Sequence, residues 1–70
     1  MSKLQPHQQR VIAELDELED RLRKLTDFVN DPTGLFAGLT QQDQQDLLRQ
    51  KQAMSDYSVA LQIRIARFVS

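Results

Sequence analysis

Apolar residues recur along the first part of the chain at spacings of four and three: Val11, Leu15, Leu18, Leu22, Leu25 and Val29. Ile12 and Phe28 widen the stripe. That spacing lines one helix face and holds a heptad seam for about three repeats, so it predicts a helix over 6–30. Pro6 suits a first helical position, and Ser2 with Gln5 fits an S-x-x-Q cap, which makes residues 1–5 a frayed lead-in or a short extra helix. Asn30-Asp31-Pro32-Thr33-Gly34 then ends the pattern, because proline restricts the residue before it and glycine supports a turn. Residues 31–39 read as a loop whose Leu35, Phe36 and Leu39 are apolar, with Phe36 plugging the end of the helix pair.

A second helix is expected over 41–68. Thr40 has the chemistry of its N-cap, and Asp43 suits the positive end of the helix dipole. Leu47, Met54, Leu61 and Phe68 recur every seven residues, with Gln50, Tyr57 and Arg64 at the intervening seam positions. The last turns are apolar on almost every side. Between Val59 and Val69, Gln62, Arg64 and Arg67 alone are polar. One partner helix covers one stripe, not a circumference. The fold class is therefore all-α: an antiparallel helical hairpin of one domain, residues 1–70, each helix about 35–40 Å long, assembled into a homo-oligomeric helical bundle.

Composition sharpens the oligomer expectation. Seventy residues enclose a small core, and chains of this size often rely on a metal, disulfides or self-association. There is no cysteine, and one histidine cannot make a histidine-rich metal site. No run of 18 apolar residues suggests a membrane span, and the first residues lack a signal-peptide core, so a cytoplasmic location is expected. The net charge of −1 argues against a protein that coats DNA or RNA. Residues 1–39 carry five Lys/Arg against seven Asp/Glu, and residues 40–70 carry four against three, so any anion site is local.

No catalytic constellation stands out: no cysteine nucleophile, no glycine-rich phosphate loop, no defensible Ser/His/Asp order. An enzyme is not expected, nor a cofactor. The acids of the first helix have bases four positions on, Glu17 with Arg21, Glu19 with Arg23 and Asp20 with Lys24, which reads as surface ion pairing. Arg64 and Arg67 are different, because an arginine within or beside an apolar seam requires a carboxylate or a phosphate. An acid of a neighbouring subunit, such as Asp27 or Asp56, is one candidate partner and a bound phosphate is the other. Near the first helix's start, Pro6-His7-Gln8-Gln9-Arg10 places an imidazole, two amides and a guanidinium in one turn. That group is either solvated surface or a base-and-phosphate contact.

The string His7-Gln8-Gln9-Arg10-Val11-Ile12 with Glu14-Leu15, Leu18, Arg21-Leu22, Lys24-Leu25 and Phe28 resembles the first helix of a family of small phage proteins, the anti-CBASS cyclic-nucleotide sponges. Leu47-Leu48, Gln52, Met54, Tyr57, Leu61, Arg64-Ile65 and Phe68 resemble the second. The resemblance implies a helical homohexamer that binds cyclic dinucleotides such as cyclic GMP–AMP, or cyclic trinucleotides such as cyclic tri-adenylate, between subunits. Binding without cleavage, in the cytoplasm of the infected bacterial host, would keep the signal from its effector. By that resemblance Lys24 and Arg64 hold phosphates, Thr26 donates a hydrogen bond and His7 takes the place of an aromatic residue against a base. Arg67, Arg10 and Arg21 are further candidates. The rival readings are a plain structural bundle in which Arg64 pairs with an acid, and a nucleic-acid-binding hairpin.

Overall fold

The computed structural model of the protein describes residues 4–69. Helix α1 spans Pro6–Val29 and α2 spans Gln41–Ala66, with a closing 3-10 turn over Arg67–Val69. The two helices pack as a hairpin, and no strand is present among the described residues.

Local chemistry sets the helix ends. The extended backbone of Gln5 precedes α1, and its carbonyl accepts from the Gln8 and Gln9 amides at 2.9 and 3.0 Å. The Gln5 N–H donates to Gln8 Oε1 at 2.8 Å, so one of the free N–H groups at this end finds a side chain. The capping pair is thus Gln5 with Gln8; the expected Ser2–Gln5 box involves a residue outside those described. Thr40 Oγ1 accepts from the Asp43 amide at 3.1 Å and opens α2. Between the helices, Gly34 takes φ +81°, a left-handed conformation that glycine adopts without a Cβ clash. Gln44 Nε2 donates to the Ala37 and Leu39 carbonyls and ties the loop to the first turns of α2. Phe36 meets Phe28 edge to face at 6.3 Å between ring centres, closing the loop end of the pair.

Val11, Leu18 and Leu61 form the buried centre, with Leu15, Met54, Ile65 and Phe68 packed against it. The α1 seam faces inward as its spacing requires. On α2 the inward positions between the heptad residues are Ser58 and Ile65, and Gln50, Tyr57 and Arg64 are exposed. The expectation that those three interrupt the seam is corrected. Burying Ser58 and the isoleucine brings less polar surface out of water than burying an amide, a phenol and a guanidinium would. The expected acid–base pairing also changes: Asp20 binds both Arg23 at 2.5 Å and Lys24 at 3.1 Å, so Arg23 turns to Asp20 rather than Glu19.

The hairpin is thin. Its radius of gyration is 15.8 Å and its extents are 52 × 18 × 16 Å, whereas a compact chain of this length has a radius near 11 Å. Its accessible surface is 5582 Å², against about 4,500 Å² for a compact monomer of this mass. Leu61 is fully enclosed, but Val59 and Ile63 on the outer side of the same helix stay 53% and 52% exposed, and Leu48 46%. Among the described residues, no helix is long and apolar enough to cross a membrane.

Candidate functional site

Two polar flanks border the buried stripe. On the first, the Tyr57 hydroxyl of α2 donates to Glu14 Oε1 of α1, a hydrogen bond 2.5 Å long across the helix pair. Residues three, four or seven apart share a helix face. Arg10, Glu14, Glu17 and Arg21 therefore line the α1 side of this flank, with His7 one turn before Arg10, and Tyr57 and Arg64 line the α2 side. The hydrogen bond to Glu14, with partial burial and the Glu14 charge, raises the Tyr57 pKa, while the Arg64 charge opposes the rise. Arg64 is close enough to be felt at the phenol. Among the described residues, Arg10, Arg21 and Arg64 have no carboxylate within ion-pair reach. Around Tyr57, three guanidinium groups thus stand against Glu14, already accepting from Tyr57, and Glu17, with Asp46 farther along the α2 face.

The second flank holds a groove of about 420 Å³, lined by Glu19, Leu22, Arg23, Thr26, Asp27, Ser58 and Gln62. That volume lies within the range of small-molecule sites. Here two carboxylates stand against one guanidinium, which is itself turned to Asp20. Thr26 donates its hydroxyl proton to the Leu22 carbonyl at 2.8 Å, and Gln62 Nε2 donates to the buried Ser58 Oγ at 3.0 Å. With its proton committed, the Thr26 hydroxyl presents only lone pairs to the groove. It suits N–H groups better than phosphate oxygens.

The sequence candidates divide between these places. His7, Arg10 and Arg64 share the Tyr57 flank, and Thr26 lies in the groove. At about 100° per residue, Glu14 and Thr26 sit about 120° apart on α1, and Tyr57 and Gln62 about 140° apart on α2, with the buried stripe between. Lys24, three residues after Arg21 and seven after Glu17, falls at the outer edge of the Tyr57 flank and not in the groove. It points outward to Asp20, whose carboxyl is held below the usual range by its hydrogen bonds to Arg23 first and Lys24 second. Arg67 opens the 3-10 turn after α2 and is exposed. A single protomer therefore does not bring Lys24, Thr26 and Arg64 to one spot. Tyr57, Arg23, Ser58 and Gln62 escaped the sequence reading. Heptad spacing places Tyr57 in the seam; its polar tip and its neighbours Asp56 and Ser58 are the sequence signal for a rim position.

Among the described residues no three His, Cys, Asp or Glu side chains gather to hold a metal ion. Fold and flanks together define a small all-helical hairpin protein with a polar flank on either side of a narrow core. The family profile described as Sequestin matches residues 5–67, and the chain belongs to the Sequestin family. The name fits a protein that sequesters. No curated protein and no solved structure matches this chain.

Proposed function

We propose that this chain is a phage anti-defence sponge: it binds cyclic di- or trinucleotide second messengers, such as cyclic GMP–AMP or cyclic tri-adenylate, holds them uncleaved, and so blocks CBASS immunity in the cytoplasm of the infected bacterium. Membership of the Sequestin family over residues 5–67 carries the reading. The guanidinium groups of Arg10, Arg21 and Arg64, without carboxylate partners, support it. Each phosphodiester brings one negative charge, so a few arginines suffice and a net charge of −1 is no obstacle. Arg64 and Lys24 hold phosphates, Thr26 contributes its hydroxyl and His7 contacts a base. Because Thr26 and Arg64 occupy opposite flanks of one hairpin, a ligand touching both lies between copies, in a homo-oligomer such as a hexamer. Symmetric copies repeat each contact on a cyclic ligand. Lys24 must leave Asp20 to join, a small loss for an exposed pair.

The test is thermal melting with each cyclic nucleotide, followed by recovery of the ligand. At a hundredfold excess over Kd, binding adds about 2.7 kcal/mol. For a domain of this size that raises Tm by roughly 10–20 °C. The nucleotide released by proteolysis should be intact. No shift with any cyclic nucleotide, or release of a linear product, overturns the proposal.

A further inference from the structure

Tyr57 is 44% exposed, yet its hydroxyl is tied to Glu14 on the other helix. An untied surface phenol moves among rotamers; this one is anchored at its tip, so its ring keeps a defined tilt. The hydroxyl already has its acceptor. What the ring offers a ligand is its face, and an aromatic face held in place is a stacking surface that any nucleobase fits.

The surroundings decide what accompanies the base. Side chains on a helix lean toward its N-terminus. Arg64, two turns after Tyr57 and about 10 Å along the axis, therefore leans back toward the ring. The exposed Ala60 between them is small and leaves the way open. Arg10 and Arg21 on α1 add positive charge to the same flank. The groove on the other flank has the opposite balance and its Thr26 proton is committed, so it competes poorly for a phosphate.

We propose that Tyr57 is the stacking platform for a nucleobase of the bound nucleotide, with Arg64 holding the adjoining phosphate and Glu14 acting as the positioning residue that fixes the ring. The inference rests on the nucleotide-sequestering reading and adds the aromatic contact for which the sequence offered His7 alone.

The chain has one tyrosine and no tryptophan, so its intrinsic fluorescence reports Tyr57 alone. Cyclic GMP–AMP and cyclic tri-adenylate are titrated into the full chain by calorimetry and by tyrosine fluorescence, the latter corrected for nucleotide absorption against free tyrosine amide. Quenching that saturates with the heat of binding is expected for at least one of the two ligands. Tyr57→Ala should weaken that ligand's binding roughly 5- to 150-fold, the range for one lost base–aromatic stack. Tyr57→Phe keeps the ring but loses its tie to Glu14, so it should bind more weakly than wild type and more tightly than Tyr57→Ala; binding equal to wild type would remove Glu14's positioning role. A purely structural Tyr57–Glu14 staple predicts the reverse: Tyr57→Phe and Tyr57→Ala melt lower but bind alike. Heat without quenching, or binding indifferent to Tyr57→Ala, overturns the platform and leaves sequestration standing. Absence of heat with either ligand overturns both. The quenching measurement needs no variant and so stands even where Tyr57→Ala fails to fold.

Discussion

Replacing Leu61 with alanine tests where this hairpin keeps its stability. Leu61 is 0% exposed and sits among Val11, Leu18, Leu15, Met54, Ile65 and Phe68. The substitution deletes three carbon atoms from the one fully enclosed large side chain among the described residues and leaves a void. Buried Leu→Ala changes generally cost about 2–5 kcal/mol, depending on how far the site collapses. A core only two helices thick collapses easily, which places this one at about 2–4 kcal/mol. A chain of 70 residues has about 3.5–10 kcal/mol in total. The variant should therefore lose about a fifth of its stability at the least and melt about 10–25 °C lower. Ile63→Ala, two residues on, is the control. Ile63 is 52% exposed, so about half the usual burial gain is at stake, near 1 kcal/mol, and alanine's better helix propensity returns a few tenths. Urea unfolding followed by circular dichroism, repeated over a hundredfold dilution, measures both. A loss at Ile63 as large as that at Leu61, and unchanged by dilution, would show that the core does not lie where the hairpin puts it. A loss at Ile63 that fades on dilution would instead mark its burial against a second copy.

Three further outcomes follow from particular contacts. Thr40→Ala removes the acceptor for the Asp43 amide and should destabilise the chain by about 0.5–2 kcal/mol, read from the urea midpoint, with Thr40→Ser close to wild type. Gly34→Ala meets open space, so backbone strain at φ +81° acts alone; it should cost about 1–2 kcal/mol, whereas Gly38→Ala, whose Cβ would touch Gly34 O at an ordinary 3.5 Å, should cost far less. The Tyr57 pKa is raised from its ordinary 10.0 by the bond to Glu14, so that bond's contribution is complete below pH 10.0 and is lost as pH rises through the folded value. The Tm difference between wild type and Tyr57→Phe should be constant from neutral pH to about 9.5 and shrink above 10, and a difference that persists undiminished at high pH would remove the phenol–carboxylate bond from the account.

The helical hairpin was legible because helix signals are local. Spacings of four and three between Val11 and Val29 have one periodic solution, Thr40 and Asp43 carry their capping chemistry in four residues, and Pro32 with Gly34 interrupts any helix. The α2 seam was harder to read. Heptad counting from Leu47 to Phe68 puts Gln50, Tyr57 and Arg64 inward, but a rotation of one position, to Ser58 and Ile65, buries less polar surface. Choosing between those rotations requires the facing helix, because the cost of burying a side chain depends on what stands opposite. The candidate site divides the same way. The sequence could nominate His7, Arg10, Arg64 and Arg67 by their chemistry, and Lys24 and Thr26 by family resemblance, as able to meet a nucleotide. It could not show that Thr26 lies across the buried stripe from Arg64, or that Lys24 faces Asp20.

By itself, then, the sequence determined that the chain makes two helices, where they break, and that its apolar surface exceeds what one hairpin encloses, since each follows from residue order along a single strand of backbone. The tertiary structure decided which way α2 rotates, that Tyr57 stands at the rim with its tip on Glu14, and how charge divides between the two flanks. Those are relations between residues more than thirty positions apart, and free energy selects among them through packing and desolvation once the helices meet.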